Sequence, residues 1–192
     1  MKTRLLLAAA GLALLGLLTA CGDDADTAAP GSSASQGAHN AQDVAFAQDM
    51  IPHHQQAVEM ADLALAKRGL SAELIALARQ IKAAQDPEIQ RMTGWLEEWD
   101  EDVPGEHGAG HGAAMADGML TEEQFAALGK AEGKAFEVAF LDGMIAHHEG
   151  AVAMAEEELT EGQDARVKAL AQAVVSAQTE EIRTMRALLE KY

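Results

Sequence analysis

Residues 46–61 read FAQDMIPHHQQAVEMA, and residues 140–155 read FLDGMIAHHEGAVAMA. At an offset of 94 they share Phe46/Phe140, Met50/Met144, Ile51/Ile145, His53/His147, His54/His148, Ala57/Ala151, Val58/Val152, Met60/Met154 and Ala61/Ala155. The chain has 7 histidines, and 4 of them fall in these two boxes. Self-similarity at one fixed spacing marks a duplicated structural unit, so the fold has to be built from two copies of it.

The duplication continues downstream at an offset of 93, where Gln85/Gln178, Glu88/Glu181, Ile89/Ile182 and Met92/Met185 match. β-Branched residues are sparse, and Ala, Leu, Glu, Met and Gln dominate, all good helix formers. Four main helices are predicted over about 42–68, from Ser71 to about 100, over about 133–159 and over about 164–191. Thr121-Glu122-Glu123-Gln124 reads as a capping box for a shorter helix ahead of the third. Steps of four and three connect Phe46, Met50, His53, Ala57, Met60 and Ala64. The same steps connect Leu74, Ala78, Ile81, Gln85, Glu88, Met92, Trp95 and Trp99, and their counterparts from Val167 through Gln178 and Glu181 to Tyr192. This is the spacing of a bundle seam. Each unit is thus a helical hairpin with an apolar face it cannot bury alone, and two of them make an all-α four-helix bundle. Pro52 and Gly143 break the pattern beside the histidines. Either the first helix bends there or its regular part begins at Pro52.

The rest of the chain frames this unit. Lys2 and Arg4 precede an apolar run, Leu5 to Leu18, too short to favour a membrane-spanning helix. Leu18-Thr19-Ala20-Cys21 looks like a bacterial lipobox, with residues 1–20 removed and Cys21, the only cysteine, acylated. A plain secretory peptide is the alternative. Residues 21–42 read as a flexible tether, and 43–192 as the bundle: hairpin 43–100, connector 101–120, hairpin 121–192. The net charge of −17 argues against nucleic acid and against electrostatic binding to anionic lipid.

Several groups carry chemistry. Imidazole suits Cu, Zn, Fe and Ni, and thioether favours Cu(I). Met50 shares a helix face with His53 and His54, as Met144 does with His147 and His148, and Met60 and Met154 lie further along the same stripes. Glu88 and Glu181 on a seam need a partner, and Gln85 and Gln178 stand one turn before them as orienting groups or further ligands. A metal site across a pseudo-twofold axis and a buried His/Gln/Glu hydrogen-bond network both satisfy this pattern. The connector spaces His107, His111, Met115 and Met119 four apart among glycines, as in a metal-collecting loop or a low-complexity linker. No Glu-x-x-His pair lies on a core helix, which weighs against a di-metal oxidase. No nucleophile elbow occurs, which leaves no catalytic residue to name.

The twin boxes, together with Gln85-x-x-Glu88-Ile89-x-x-Met92 and its repeat, resemble DUF family 305, a family of bacterial, often exported proteins, over about residues 40–192. The resemblance implies a ferritin-like four-helix bundle. It also implies candidate ligands at Met50, His53, His54, Met60, Met144, His147, His148 and Met154, with copper handling attributed to some members. The expectation is an exported lipoprotein on the bacterial cell membrane that binds copper, or zinc or another divalent transition metal. A structural or partner-binding bundle is the alternative. The distance between the His53 and His147 imidazoles should decide between one shared site and two.

Overall fold

The structure, a computed structural model, describes residues 38–105 and 118–192. Five helices lie within them: α1 Ala41–Ala66, α2 Ala72–Trp99, α3 Glu122–Lys130, α4 Gly133–Glu161 and α5 Ala165–Leu189. There is no strand among the described residues.

The starts of these helices follow from their caps. The Asn40 side chain accepts from the amides of Gln42 and Asp43, and Asp43 accepts in turn from the Asn40 amide, a capping box. Ser71 and Asp164 cap α2 and α5, and Thr121 with Gln124 caps α3 as expected. Each such cap is worth about 1 kcal/mol. α1 ends by Lys67, and Gly69 takes φ +76 in the turn into α2, a conformation that glycine adopts without strain.

α1 runs unbroken through Pro52, so its regular part does not begin there. A second proline, Pro87, lies inside α2 directly before Glu88. Each removes one helical hydrogen bond. The seam of α5 stops at Leu188. Tyr192 lies past the helix end and is exposed rather than matching Trp99, because nothing continues the helix beyond Leu189.

α1 pairs with α2, and α4 with α5, as two hairpins that meet along α1 and α4. One buried cluster joins Ala57 to Ala64 of α1 with Phe136 to Met144 of α4 and Met185 of α5. The other joins Phe46 to Ile51 of α1 with Ala151 and Ala155 of α4 and Met92 of α2. The late part of α1 thus meets the early part of α4, and the reverse, so the two helices cross antiparallel about a pseudo-twofold axis. Both histidine pairs lie between the two clusters along α1 and α4.

Candidate metal centre

All four box histidines are fully buried, with 0 % exposure. The axis passes between His53 and His147, whose ring centroids are 3.8 Å apart at an interplanar angle of 44°. The two boxes therefore form one shared centre. Their contact follows from the antiparallel crossing, which brings equivalent positions of α1 and α4 together at the axis. The neighbouring His148 ring lies 6.3 Å from His147.

The second histidine of each pair turns toward its own hairpin. His54 Nε2 lies 2.9 Å from Glu88 Oε2, and His148 Nε2 lies 2.7 Å from Glu181 Oε2. An ionised carboxylate only accepts, so Nε2–H donates and Nδ1 keeps its lone pair in the neutral ring. Glu181 also accepts from Gln80 at 2.9 Å, and Glu88 lies 3.6 Å from Arg91. Gln80 and Arg91 escape a reading by repeat, since their counterparts Ala173 and Thr184 carry no such chemistry.

Among the described residues, several polar atoms in this layer have no hydrogen-bond partner of the kind buried groups normally find. They are both ring nitrogens of His147, Nδ1 of His54 and His148, both amide atoms of Gln85, and Oε1 of Gln178. Burial first, then the neighbouring His53, His148 and His54, hold His147 well below the ordinary histidine pKa. Its ring stays neutral into mildly acidic solution, with a lone pair free to ligate.

The methionines divide by the crossing rather than by box. Met50 and Met92 lie in one cluster with Met154 packed against it, while Met60, Met144 and Met185 lie in the other. Met154 is only partly buried, whereas its counterpart Met60 is fully buried. The eight box residues thus do not form one equivalent shell. His53 and His147 lie at the axis, thioethers lie to either side, and His54 and His148 are tied to carboxylates.

Among the described residues, no three His, Cys, Asp or Glu side chains converge on one point. The soft and borderline donors in and beside this layer are the axial imidazoles and the thioethers of the two flanking clusters, donor types that suit copper. Of the connector residues, Met119 lines a cavity beside α4, and His107, His111 and Met115 lie outside the described residues, as does Cys21. No described helix is long and apolar enough to cross a membrane.

The family model for the domain of unknown function DUF305 matches residues 43–189. No curated protein is significantly similar. Among solved structures, a DUF305 protein from Streptomyces coelicolor is 33% identical with a TM-score of 0.70, covering 78% of this chain and 93% of its own. A DUF305 fragment from Deinococcus radiodurans is 34% identical with a TM-score of 0.70, covering 80% and 98%. CopM in its Cu(II)-bound form is 32% identical with a TM-score of 0.67, covering 78% and 96%, and CopM is also known in a Cu(I)-bound form. With this match over most of its length, the chain belongs to the DUF305 family.

Proposed function

We propose that this protein binds copper, as Cu(I), at one centre shared by its two hairpins, and that it sequesters or carries the ion outside the cytoplasm. The observation that carries this reading is the 3.8 Å approach of the His53 and His147 rings, fully buried and with thioethers packed on both sides. Support comes from CopM, which has the same fold and has been solved with Cu(I) and with Cu(II). In this reading Met50, Met60, Met144 and Met154 supply sulfur, Gln85 and Gln178 adjust the polarity around the ion, and zinc or another divalent metal is the weaker ligand. The lipobox at Cys21 would hold the bundle at the bacterial cell membrane, and the connector histidines and methionines would gather ions near it. No covalent chemistry is involved. Titration with Cu(I) against a competing chelator tests the proposal. The wild type should bind, and a His53/His54/His147/His148→Ala variant should lose at least about ten-fold in affinity. Unchanged affinity overturns it.

A second reading rests on the His54–Glu88 and His148–Glu181 hydrogen bonds, which by themselves make a polar network that fixes the register of the bundle. Thermal stability that does not respond to Cu(I) would favour it.

A further inference from the structure

A fully buried centre needs a way in. Beside it lies a cavity of about 510 Å³ between α3 and α4, its wall mostly apolar. Met119 and Leu120 form one side, and Asp142, Gly143 and Ala146 of α4 form the other.

Gly143 and Ala146 directly precede Met144 and His147, so this wall of the cavity is the backbone of the second box itself. At Gly143 a Cβ would lie 3.4 Å from the Met60 Cε and 3.3 Å from a Leu120 methyl. The missing side chain therefore leaves only Gly143 between the cavity and the Met60 methyl, which is fully buried behind it. Met60 and Met144 belong to one buried cluster behind this wall. Gly118 packs so closely on the Ala146 carbonyl that no larger residue fits there, which pins the segment bearing Met119 to α4. The Asp142 carboxylate is exposed at the mouth and favours cations there.

The first box borders a different cavity, of about 360 Å³, at Ile51 and Gln55. Its counterpart of Gly143 is Asp49, and that of Ala146 is Pro52. The cavity at Gly143 is thus built on residues that the second box alone carries.

We propose that this cavity is the entry vestibule for Cu(I), with Met119 the first thioether to take the ion and Met60, behind Gly143, the next. This rests on the copper reading above. Each handover exchanges one thioether for another and needs no oxidant, reductant or proton. A soft monovalent ion passes such a path, while a hard divalent ion finds only Asp142 and gains nothing further in.

Uptake kinetics test the proposal separately from affinity. Cu(I) held by a chromogenic chelator is mixed with the full chain in a stopped-flow instrument, and the final distribution of copper gives the affinity in the same experiment. Ala139→Phe, at an exposed position on the cavity wall, and Gly143→Val each narrow the path without removing a donor. Each is expected to slow uptake by about ten-fold, equivalent to about 1.4 kcal/mol in the barrier, with affinity within about two-fold of wild type. Met119→Leu should slow uptake by a similar factor. Ala139→Phe guards against a folding defect in Gly143→Val. Wild-type rates in both narrowed variants overturn the vestibule while leaving the copper reading standing. A wild-type protein that takes no Cu(I) overturns both.

Discussion

Asp43 and Glu137 occupy equivalent places 94 residues apart, and each accepts the backbone N–H of the residue that caps the other hairpin's second helix. The Asp164 amide donates to Asp43 Oδ1 at 2.9 Å, and the Ser71 amide donates to Glu137 Oε1 at 2.5 Å. Both carboxylates are buried. The first helix of each hairpin thus holds the turn of the other, and the clasp fixes how α1 and α4 cross. That crossing is what brings His53 to His147.

The two halves of the clasp are unequal. Asp43 also accepts from the amides of Asn40 and Gln163, whereas among the described residues Glu137 accepts from Ser71 alone. Asp43→Ala is therefore expected to cost about 3 kcal/mol and Glu137→Ala about half as much, since a charge-assisted hydrogen bond lost from a buried site costs about 1.5–3 kcal/mol. Urea unfolding monitored by circular dichroism reads both. Equal losses, or losses below about 0.5 kcal/mol, would show that the clasp does not hold the hairpins together.

The seam and the duplication were legible in the sequence because helical period and repeat spacing are local properties, but spacing does not say whether the two boxes meet, which depends on how α1 and α4 cross. His54 and His148 were not separable from His53 and His147 by the same means. Adjacent residues on a helix differ by 100° of rotation, and here both directions are buried, one toward the axis and one toward Glu88 or Glu181. The grouping of Met60 with Met144 depends on the antiparallel crossing, which no periodicity encodes. The clasp was equally hidden, since its partners on Asp43 lie about 120 residues away.

Gly162 is required by a neighbour rather than by its backbone, whose φ is −69. The Glu158 carboxyl fills the space a Cβ would take. Gly162→Ala should cost about 1–3 kcal/mol through overpacking. Glu158→Ala should remove part of that cost in a double-mutant cycle, because it vacates the space of the carboxyl and leaves only the Glu158 carbonyl oxygen, 2.7 Å from the added Cβ. Additive losses in the cycle would place the strain elsewhere.

Glu158 itself predicts a pH dependence. Its side chain is buried, and no donor among the described residues reaches either oxygen. Burial first, then the adjacent Asp43 carboxyl, push its pKa up to about 8 from 4.5, with Asp164 adding to the shift and Lys168 opposing it. Between these values the folded chain keeps the proton and the unfolded chain releases it, so this group's stabilisation is full below pH 4.5 and is lost as pH rises toward about 8. The melting temperature should fall across that window, and Glu158→Gln should flatten the fall. A wild-type slope unchanged in Glu158→Gln would assign the pH dependence to other groups. The counterpart of Glu158 in the first hairpin is Ala64, so this titration belongs to one end of the bundle.

The division within the histidine pairs gives the sharpest test of the centre. If the ion sits at the axis, His53→Ala and His147→Ala should each abolish the rise in melting temperature that Cu(I) produces, since a ligand stabilises only the state that binds it. His54→Ala and His148→Ala remove the partners of Glu88 and Glu181 instead. They leave a carboxylate poorly satisfied in a mostly buried place and should lower the copper-free melting temperature, with a cost of about 1–3 kcal/mol. The increment gained on adding Cu(I) should survive in them. His148→Ala should be the more damaging, because Glu181 is the more buried carboxylate, with 8% side-chain exposure against 15% for Glu88. Glu88 also retains Arg91 at 3.6 Å, whereas among the described residues Glu181 retains only the neutral Gln80 amide. A copper increment lost equally from all four variants would mean that the ion engages the outer rings through their Nδ1 atoms, and that the Glu–His pairs serve to orient ligands rather than to hold the bundle in register.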